Sequence, residues 1–216
     1  MPTTIPLHAP KSDTYYELGR SETLAYLPPP YGRVLDVGCA GGGAGPQLRA
    51  GGASWITGIE MMPEPAAVAE RVYDQVLVGD AMQELPQASG PFETILCYDV
   101  LEHVYDPLAL VQALRGVAAP GGRLHVSVPN ASHISLLRDL IVRGTFGYET
   151  AGHRDATHIR WFTRRDIVAL IGEAGWQVQA VAHSELHLSR PLHVLTRGRS
   201  TEFLAGQWYV LALAPR

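Results

Sequence analysis

The sequence predicts an α/β fold, an open and mostly parallel sheet with helices on both faces. Three observations carry this prediction. Short apolar strands alternate with helix-length amphipathic segments. Four of the first five strands are apolar nearly throughout, as a parallel strand covered on both faces must be. The first strand also runs directly into a glycine-rich turn that opens a helix.

The elements follow in order. Residues 1–32 precede the first strand and are predicted to form a helical cap ending at Pro28-Pro-Pro30, because a residue before proline disfavours the helical region. Strands are predicted at 33–37, 55–60, 75–79, 94–98 and 123–129, with helical segments at 45–50, 65–72 and 107–117 between them. In the last of these Leu108, Val111, Leu114 and Val117 recur at helical spacing, Pro107 suits the first turn, and Ala119-Pro-Gly-Gly122 should end the element. After Asn130 the rhythm breaks into an irregular polar stretch to about Arg160, which reads as an insertion. A helix over 163–174 with Thr163 as N-cap follows, then strands at 176–182 and 206–214, the second antiparallel at the sheet edge.

Composition narrows the function classes. The chain has 216 residues and is 46% apolar, enough for one full core and short for two catalytic domains. No apolar run approaches the roughly 20 residues of a membrane span, and residues 1–12 lack a secretory signal, so the expected compartment is the cytoplasm. Two cysteines, Cys39 and Cys97, provide neither a disulfide framework nor a zinc cluster. A formal charge of −4 offers no attraction toward phosphate backbones and makes nucleic acid a poor partner.

The chemistry concentrates where strands end. Val34-Leu-Asp-Val-Gly-Cys-Ala-Gly-Gly-Gly43 brings backbone N–H groups and a helix N-terminus close to a ligand. Alone, such a turn is also what any tight strand-to-helix connection needs. Glu60 ends the second strand 24 positions after Asp36, near the roughly 20-residue interval of a ribose-binding carboxylate. Asp80 follows the third strand, and Cys97-Tyr-Asp99 reaches the same edge from the fourth.

These residues resemble the class I S-adenosylmethionine-dependent methyltransferases over roughly residues 15–180. Val34 to Gly42 looks like the family's first motif, with Ala40 in place of its usual middle glycine. The resemblance implies a Rossmann-like sheet of seven strands, the last antiparallel, within one domain over 1–216 whose 131–160 insertion lies on the acceptor side. It implies that Asp36, Gly38, Cys39, Ala40, Gly41 and Gly42 face the methionine end of the cofactor. Glu60 and Met61 would face the ribose, Asp80 and Ala81 the adenine, and Tyr98, Asp99 and Leu101 would pass beneath the sulfonium. Asp99-Val-Leu-Glu-His-Val104, Val128-Pro-Asn130 and His158-Ile-Arg-Trp-Phe-Thr163 are most similar to the group containing ubiquinone-pathway O-methyltransferases and methionine-biosynthesis-type methyltransferase-like proteins. A nicotinamide-dependent oxidoreductase is disfavoured: Asp36 would add negative charge near a pyrophosphate, and the single lysine, Lys11, leaves no Tyr-x-x-x-Lys set. A catalytically silent S-adenosylmethionine-binding protein would keep the cofactor residues and lose the acceptor chemistry.

Methyl transfer from a sulfonium needs alignment and exclusion of water rather than a nucleophilic side chain. A hydroxyl acceptor must also lose a proton, which calls for a base or a cation. On a helix beginning near Asp99, Glu102 and His103 would share its face, with His103 as base. The alternative is that Asp99 caps the helix while Glu102 and His103 tether loops. Asp99, Glu102, His103 and His158 also resemble the two-acid, two-histidine set that holds a divalent ion in small-RNA 2′-O-methyltransferases. His158 packing against Trp161 and Phe162 is the structural alternative. Both histidines follow strands that end at the ligand edge, so they should be near neighbours beside a small-molecule hydroxyl acceptor. Phe146, Tyr148, His153 and Arg154 are candidate acceptor cover, and Tyr15, Tyr16 and Arg20 a candidate lid. His125 reads as core or sheet surface, and His8, His133, His153, His183, His187 and His193 as loop or surface residues.

Overall fold

The computed structural model describes residues 21–184 and 200–216. Seven strands form one sheet in the order β3-β2-β1-β4-β5-β7-β6. They are β1 (Gly32–Val37), β2 (Ala53–Glu60), β3 (Gln75–Val78), β4 (Phe92–Tyr98), β5 (Ala118–Pro129), β6 (Gln177–His183) and β7 (Gln207–Leu213). The first five run parallel, and β7 pairs antiparallel with both β5 and β6. This is the expected α/β architecture, except that the last strand lies between β5 and β6 and it is β6, not β7, that forms the edge. It places the C-terminal ends of β1, β2, β4 and β5 along one edge, and the order reverses at β1, where open α/β sheets bind ligands.

Alternation along the strands builds two cores. Leu35, Val37, Ile95, Cys97, Leu124 and Val126 pack on one face with Leu110, Leu114, Ile167 and Trp176. Val34, Ile56, Leu96 and Tyr98 pack on the other with Leu24, Leu27, Tyr31 and Tyr73. The first cluster draws on the helices α5 (Pro107–Gly116) and α7 (Arg164–Glu173), and the Trp176 indole N–H donates to Val111 O at 3.0 Å to join them. The preceding helices are α1 (Ser21–Leu24), α2 (Gly45–Ala50), α3 (Pro63–Ala69) and α4 (Ala81–Glu84); α6 (Ile134–Arg138) lies in the insertion and α8 (Thr201–Leu204) precedes β7. Thr163 caps α7 with a full capping box to Asp166, and Asp106 caps α5 ahead of Pro107.

Several boundaries differ from the sequence reading. The predicted 65–72 helix starts two residues earlier, at Pro63, because Pro63 itself fits the first turn. Ala119-Pro-Gly-Gly122 does not merely end a helix: it belongs to the start of β5, where the register against β4 shifts between Phe92 and Thr94. The helix foreseen from Asp99 is absent. Asp99 has φ 54°, in the left-handed region, and a short 3₁₀ turn spans Leu101–His103. A left-handed residue cannot open a right-handed helix, so Asp99 turns away from that element. Of the amino-terminal cap, Leu24, Leu27 and Tyr31 are buried under the sheet, while Tyr15, Tyr16 and Arg20 lie outside the described residues, as do His8, His187 and His193.

Candidate active site

The glycine-rich turn is held from three sides. Gly38, Ala40 and Gly42 have φ of 68°, 49° and 75°, so the backbone coils tightly between β1 and α2. A Cβ on Gly38 would meet Val100 Cγ2 at 2.4 Å, and one on Gly42 would meet Val72 Cγ2 at 2.6 Å. Ala40 tolerates the left-handed conformation at a cost of about 1 kcal/mol. Gly38 and Cys39 donate their amides to Ile59 O at 2.8 and 3.1 Å, which ties the turn to β2. Glu60, at the end of that strand, accepts from Ala40 N at 2.8 Å and Met62 N at 3.0 Å, one bond per carboxylate oxygen. Each oxygen carries a second lone pair, so the group retains acceptor capacity for a diol.

Asp36 takes a different place from the one foreseen. Its carboxylate is fully buried and accepts the Tyr73 phenol at 2.6 Å, supporting the turn from within the second core. Cys39, Tyr98 and Leu101 are buried in the same way, so what these positions offer at the ligand edge is backbone. The Tyr98 hydroxyl lies 2.7 Å from His125 Nδ1, and burial pushes the His125 pKa down to about 4, with Arg123 adding to the shift. The neutral ring and the phenol share this buried hydrogen bond. Asp80 Oδ1 accepts from Met82 N and caps α4, which leads with Ala81. Around it Met61, Met62, Val78 and Met82 are exposed, an apolar surface beside Glu60 suited to an adenine.

On the other side of the turn, two connections are strapped together. Glu102 O accepts the amides of Ile159 at 2.9 Å and Arg160 at 3.0 Å, which binds the segment after β4 to the end of the insertion. Consequently His103 and His158 meet edge-on, ring centroids 4.8 Å apart. A carboxylate oxygen of Glu102 and one nitrogen of each ring lie within 4.8 Å of one another, a donor set that could hold a metal ion. Glu102 and His158 are buried and His103 is half-buried. His103 Nδ1 lies 3.2 Å from Thr157 O, and a carbonyl can only accept, so Nδ1 carries hydrogen and Nε2 is the basic nitrogen of the neutral ring. Asp99 is not gathered into this set. Its Oδ1 accepts from Ser127 Oγ at 3.2 Å and from Gln207 Nε2 at 2.8 Å, which corrects the four-ligand expectation to three.

The insertion also differs from the reading of its histidines. His133 and His153 stack at 4.6 Å with rings 17° from parallel, and His153 Nε2 lies 2.6 Å from Gly206 O. Both rings are half-buried, and burial holds their pKa values below the ordinary histidine value. Asn130, fully buried, donates to Glu202 O and Ala205 O at 2.9 Å each and pins the start of the insertion to the approach to β7. Phe146 packs against Tyr148 and Trp161, whereas Arg154 is bound to Asp139 and Glu149. A cavity with room for about one water lies between Glu102, His158, Asn130, His153 and Phe162.

Tyr73, Gln207, Asn130 and Thr157 were not singled out in the sequence as site residues. Gln207 carried a faint signal, as a polar residue opening an apolar strand.

Residues 13–181 match the model of a family described as a methyltransferase domain. The chain belongs to the class I S-adenosylmethionine-dependent methyltransferases. This methyltransferase is 40% identical over 107 residues to a ubiquinone biosynthesis O-methyltransferase of Xylella fastidiosa strain M23, covering 45% of the chain and 42% of that protein. It is 30% identical over 165 residues to a protein of the same name from Xanthomonas axonopodis pv. citri, covering 73% and 68% respectively. The methyltransferase thus spans less than half the length of the first of these relatives. Among solved structures it is similar to a SAM-dependent methyltransferase from Archaeoglobus fulgidus, with TM-score 0.64, 14% identity and coverage of 84% and 85%. A complex of the Haloferax volcanii Trm112 methyltransferase activator with a methyltransferase gives TM-score 0.63 at 16% identity, covering 92% and 89%. Family membership removes the nicotinamide oxidoreductase alternative.

Proposed function

We propose that the protein transfers a methyl group from S-adenosylmethionine to a hydroxyl of a small-molecule acceptor in the cytoplasm. The observation that carries this reading is the meeting of His103, His158 and Glu102 on the same sheet edge as the glycine-rich turn. The name shared by the curated relatives supports oxygen as the atom methylated. In this reading the Gly38–Gly42 backbone holds the methionine end of the cofactor, Glu60 the ribose hydroxyls, and Met61 with Asp80 and Ala81 the adenine.

The acceptor oxygen attacks the methyl carbon in line as the bond to sulfur breaks, leaving a neutral thioether. The hydroxyl proton passes to His103 Nε2, while Thr157 O keeps the ring oriented through Nδ1. His158 holds the neighbouring face of that ring, and Glu102 stabilises the imidazolium that forms. In a second form of the mechanism, with His103 Nε2 given to metal rather than to the proton, Glu102, His103 and His158 would hold a divalent ion, whose chemistry there would be to lower the pKa of the acceptor hydroxyl. The phenyl and indole surfaces of Phe146 and Trp161 exclude water from the acceptor side.

The test is transfer of tritium from methyl-labelled cofactor into separate pools of phenols, amines and nucleic acids. Label in the phenol pool supports the reading, and label confined to amines or nucleic acid overturns it.

A further inference from the structure

On the reading that the acceptor is a small molecule bearing a hydroxyl, we infer that Arg160 recognises a carboxylate on that same acceptor. The residue is fixed at both ends. Its amide donates to Glu102 O at 3.0 Å, and its guanidinium donates through Nη2 to Tyr105 O and through Nη1 to Ile159 O, the latter at 3.2 Å. Arg160 therefore bridges the two connections that carry the histidines, its head tied two residues beyond His103 and its backbone two residues beyond His158.

Those bonds hold the guanidinium in place without neutralising it. A carbonyl offers a dipole and no net charge, so the positive charge of Arg160 stays uncompensated. Other arginines nearby in the chain differ: Arg138, Arg143 and Arg154 meet Asp139, and Arg164 meets Glu202. Among the described residues Arg160 forms no ion pair with a carboxylate. Of the five N–H groups of a guanidinium, two are engaged here, and the remainder suit the paired oxygens of a carboxylate. A single guanidinium balances one negative charge, which favours a carboxylate over a dianionic phosphate. The chain as a whole carries −4, so an anion finds little attraction elsewhere on it.

The position sets this charge beside the chemistry. Arg160 lines the same cavity as Glu102, His158 and Trp161, and that cavity has room for about one water. An acceptor must then lie at its mouth. Trp161 and Tyr105 are exposed there and offer flat faces to a planar body. An acceptor with its hydroxyl at His103 Nε2 and its carboxylate at Arg160 would be held at two points, which fixes its direction of approach.

The experiment is calorimetric binding of 3-hydroxybenzoate, 4-hydroxybenzoate and 4-hydroxycinnamate, each against its own amide, to the full chain saturated with S-adenosylhomocysteine. At least one acid should bind tenfold or more tightly than its amide, with the preference shrinking as salt is raised. Arg160→Gln should erase that preference and Arg160→Lys retain part of it, with S-adenosylhomocysteine affinity serving as proof of folding. A guanidinium that only straps the two connections would leave acid and amide equal. Equal binding within every pair, no binding by any acid, or a preference that survives Arg160→Gln overturns the inference. If the preference holds but no bound acid accepts tritium from methyl-labelled cofactor, the carboxylate contact stands and the hydroxyl reading falls.

Discussion

The imidazoles of His103 and His158 stand edge to face, 4.8 Å between centroids, although one follows β4 and the other closes the insertion after β5. Glu102 O, which receives two amides from the far connection, and the bond from His103 Nδ1 to Thr157 O hold the two connections together. If His103 takes the acceptor proton, His103→Ala should lower kcat by roughly 10²- to 10⁴-fold. S-adenosylhomocysteine affinity, read by calorimetry, should change less than about threefold, since that ligand's contacts are assigned to β1 through β3. Equal losses in both quantities would refute the assignment.

Chelation separates the two forms of the mechanism. Should Glu102, His103 and His158 hold a divalent ion, dialysis against a chelator should abolish transfer and a divalent salt restore it. His158→Ala should then weaken metal binding, measured directly with the ion, by more than the roughly 10- to 100-fold that loss of an outer-shell partner costs. Activity indifferent to the chelator leaves His103 acting alone.

Glu60 links the turn to β2 through two amides at 2.8 and 3.0 Å. Glu60→Ala removes both acceptors together with the proposed ribose contact. Cofactor affinity should fall at least tenfold, because a charged hydrogen bond contributes about 1.5–3 kcal/mol. Glu60→Gln should lose less, since one amide oxygen can still accept.

Stability should decline with acid through His125. Its folded pKa of about 4 lies below the ordinary 6.5, so the unfolded chain binds the proton first as pH falls. Above pH 6.5 both states are neutral and nothing is lost; between 6.5 and 4 the penalty grows to about 3 kcal/mol. Urea unfolding across that window should show the decline, and His125→Gln should flatten it. His133 and His153, also shifted down by burial, add to the slope in the same direction and would remain in the variant.

Beneath the turn, Tyr73→Phe removes a 2.6 Å bond to a fully buried carboxylate. Unfolding free energy should drop by about 1–3 kcal/mol. Adding Asp36→Asn should recover part of it by removing the buried charge.

The strands were legible because a parallel sheet covered on both faces demands near-continuous apolar runs, and 34–37, interrupted only by Asp36, and 95–98 supply them. Thr163 announced a helix as its N-cap, and the structure completes that cap with Asp166 three residues on. What escaped notice acts over longer distances. The stacking of His133 on His153 and the grip of Tyr73 on Asp36 leave no local trace, since neither partner has a periodicity or a motif to betray the other. Asp99 misled for a related reason. Its spacing to Glu102 and His103 suits a helix face, but Ser127 and Gln207 hold its carboxylate toward β5 and β7, and its backbone follows into the left-handed region.

The position of β7 between β5 and β6 carries a cost in the order of events during synthesis. As the chain leaves the ribosome, β6 is made before the strand that separates it from the rest of the sheet. Until Gln207–Leu213 follows, β6 has no pairing partner in the final arrangement, and the open edge of β5 stands exposed. The parallel strands can assemble as they emerge, but the last two must wait and enter together. A chain cut short after residue 184 would therefore present a bare edge on β5 and a β6 without its partner, which is where a chaperone should be found bound.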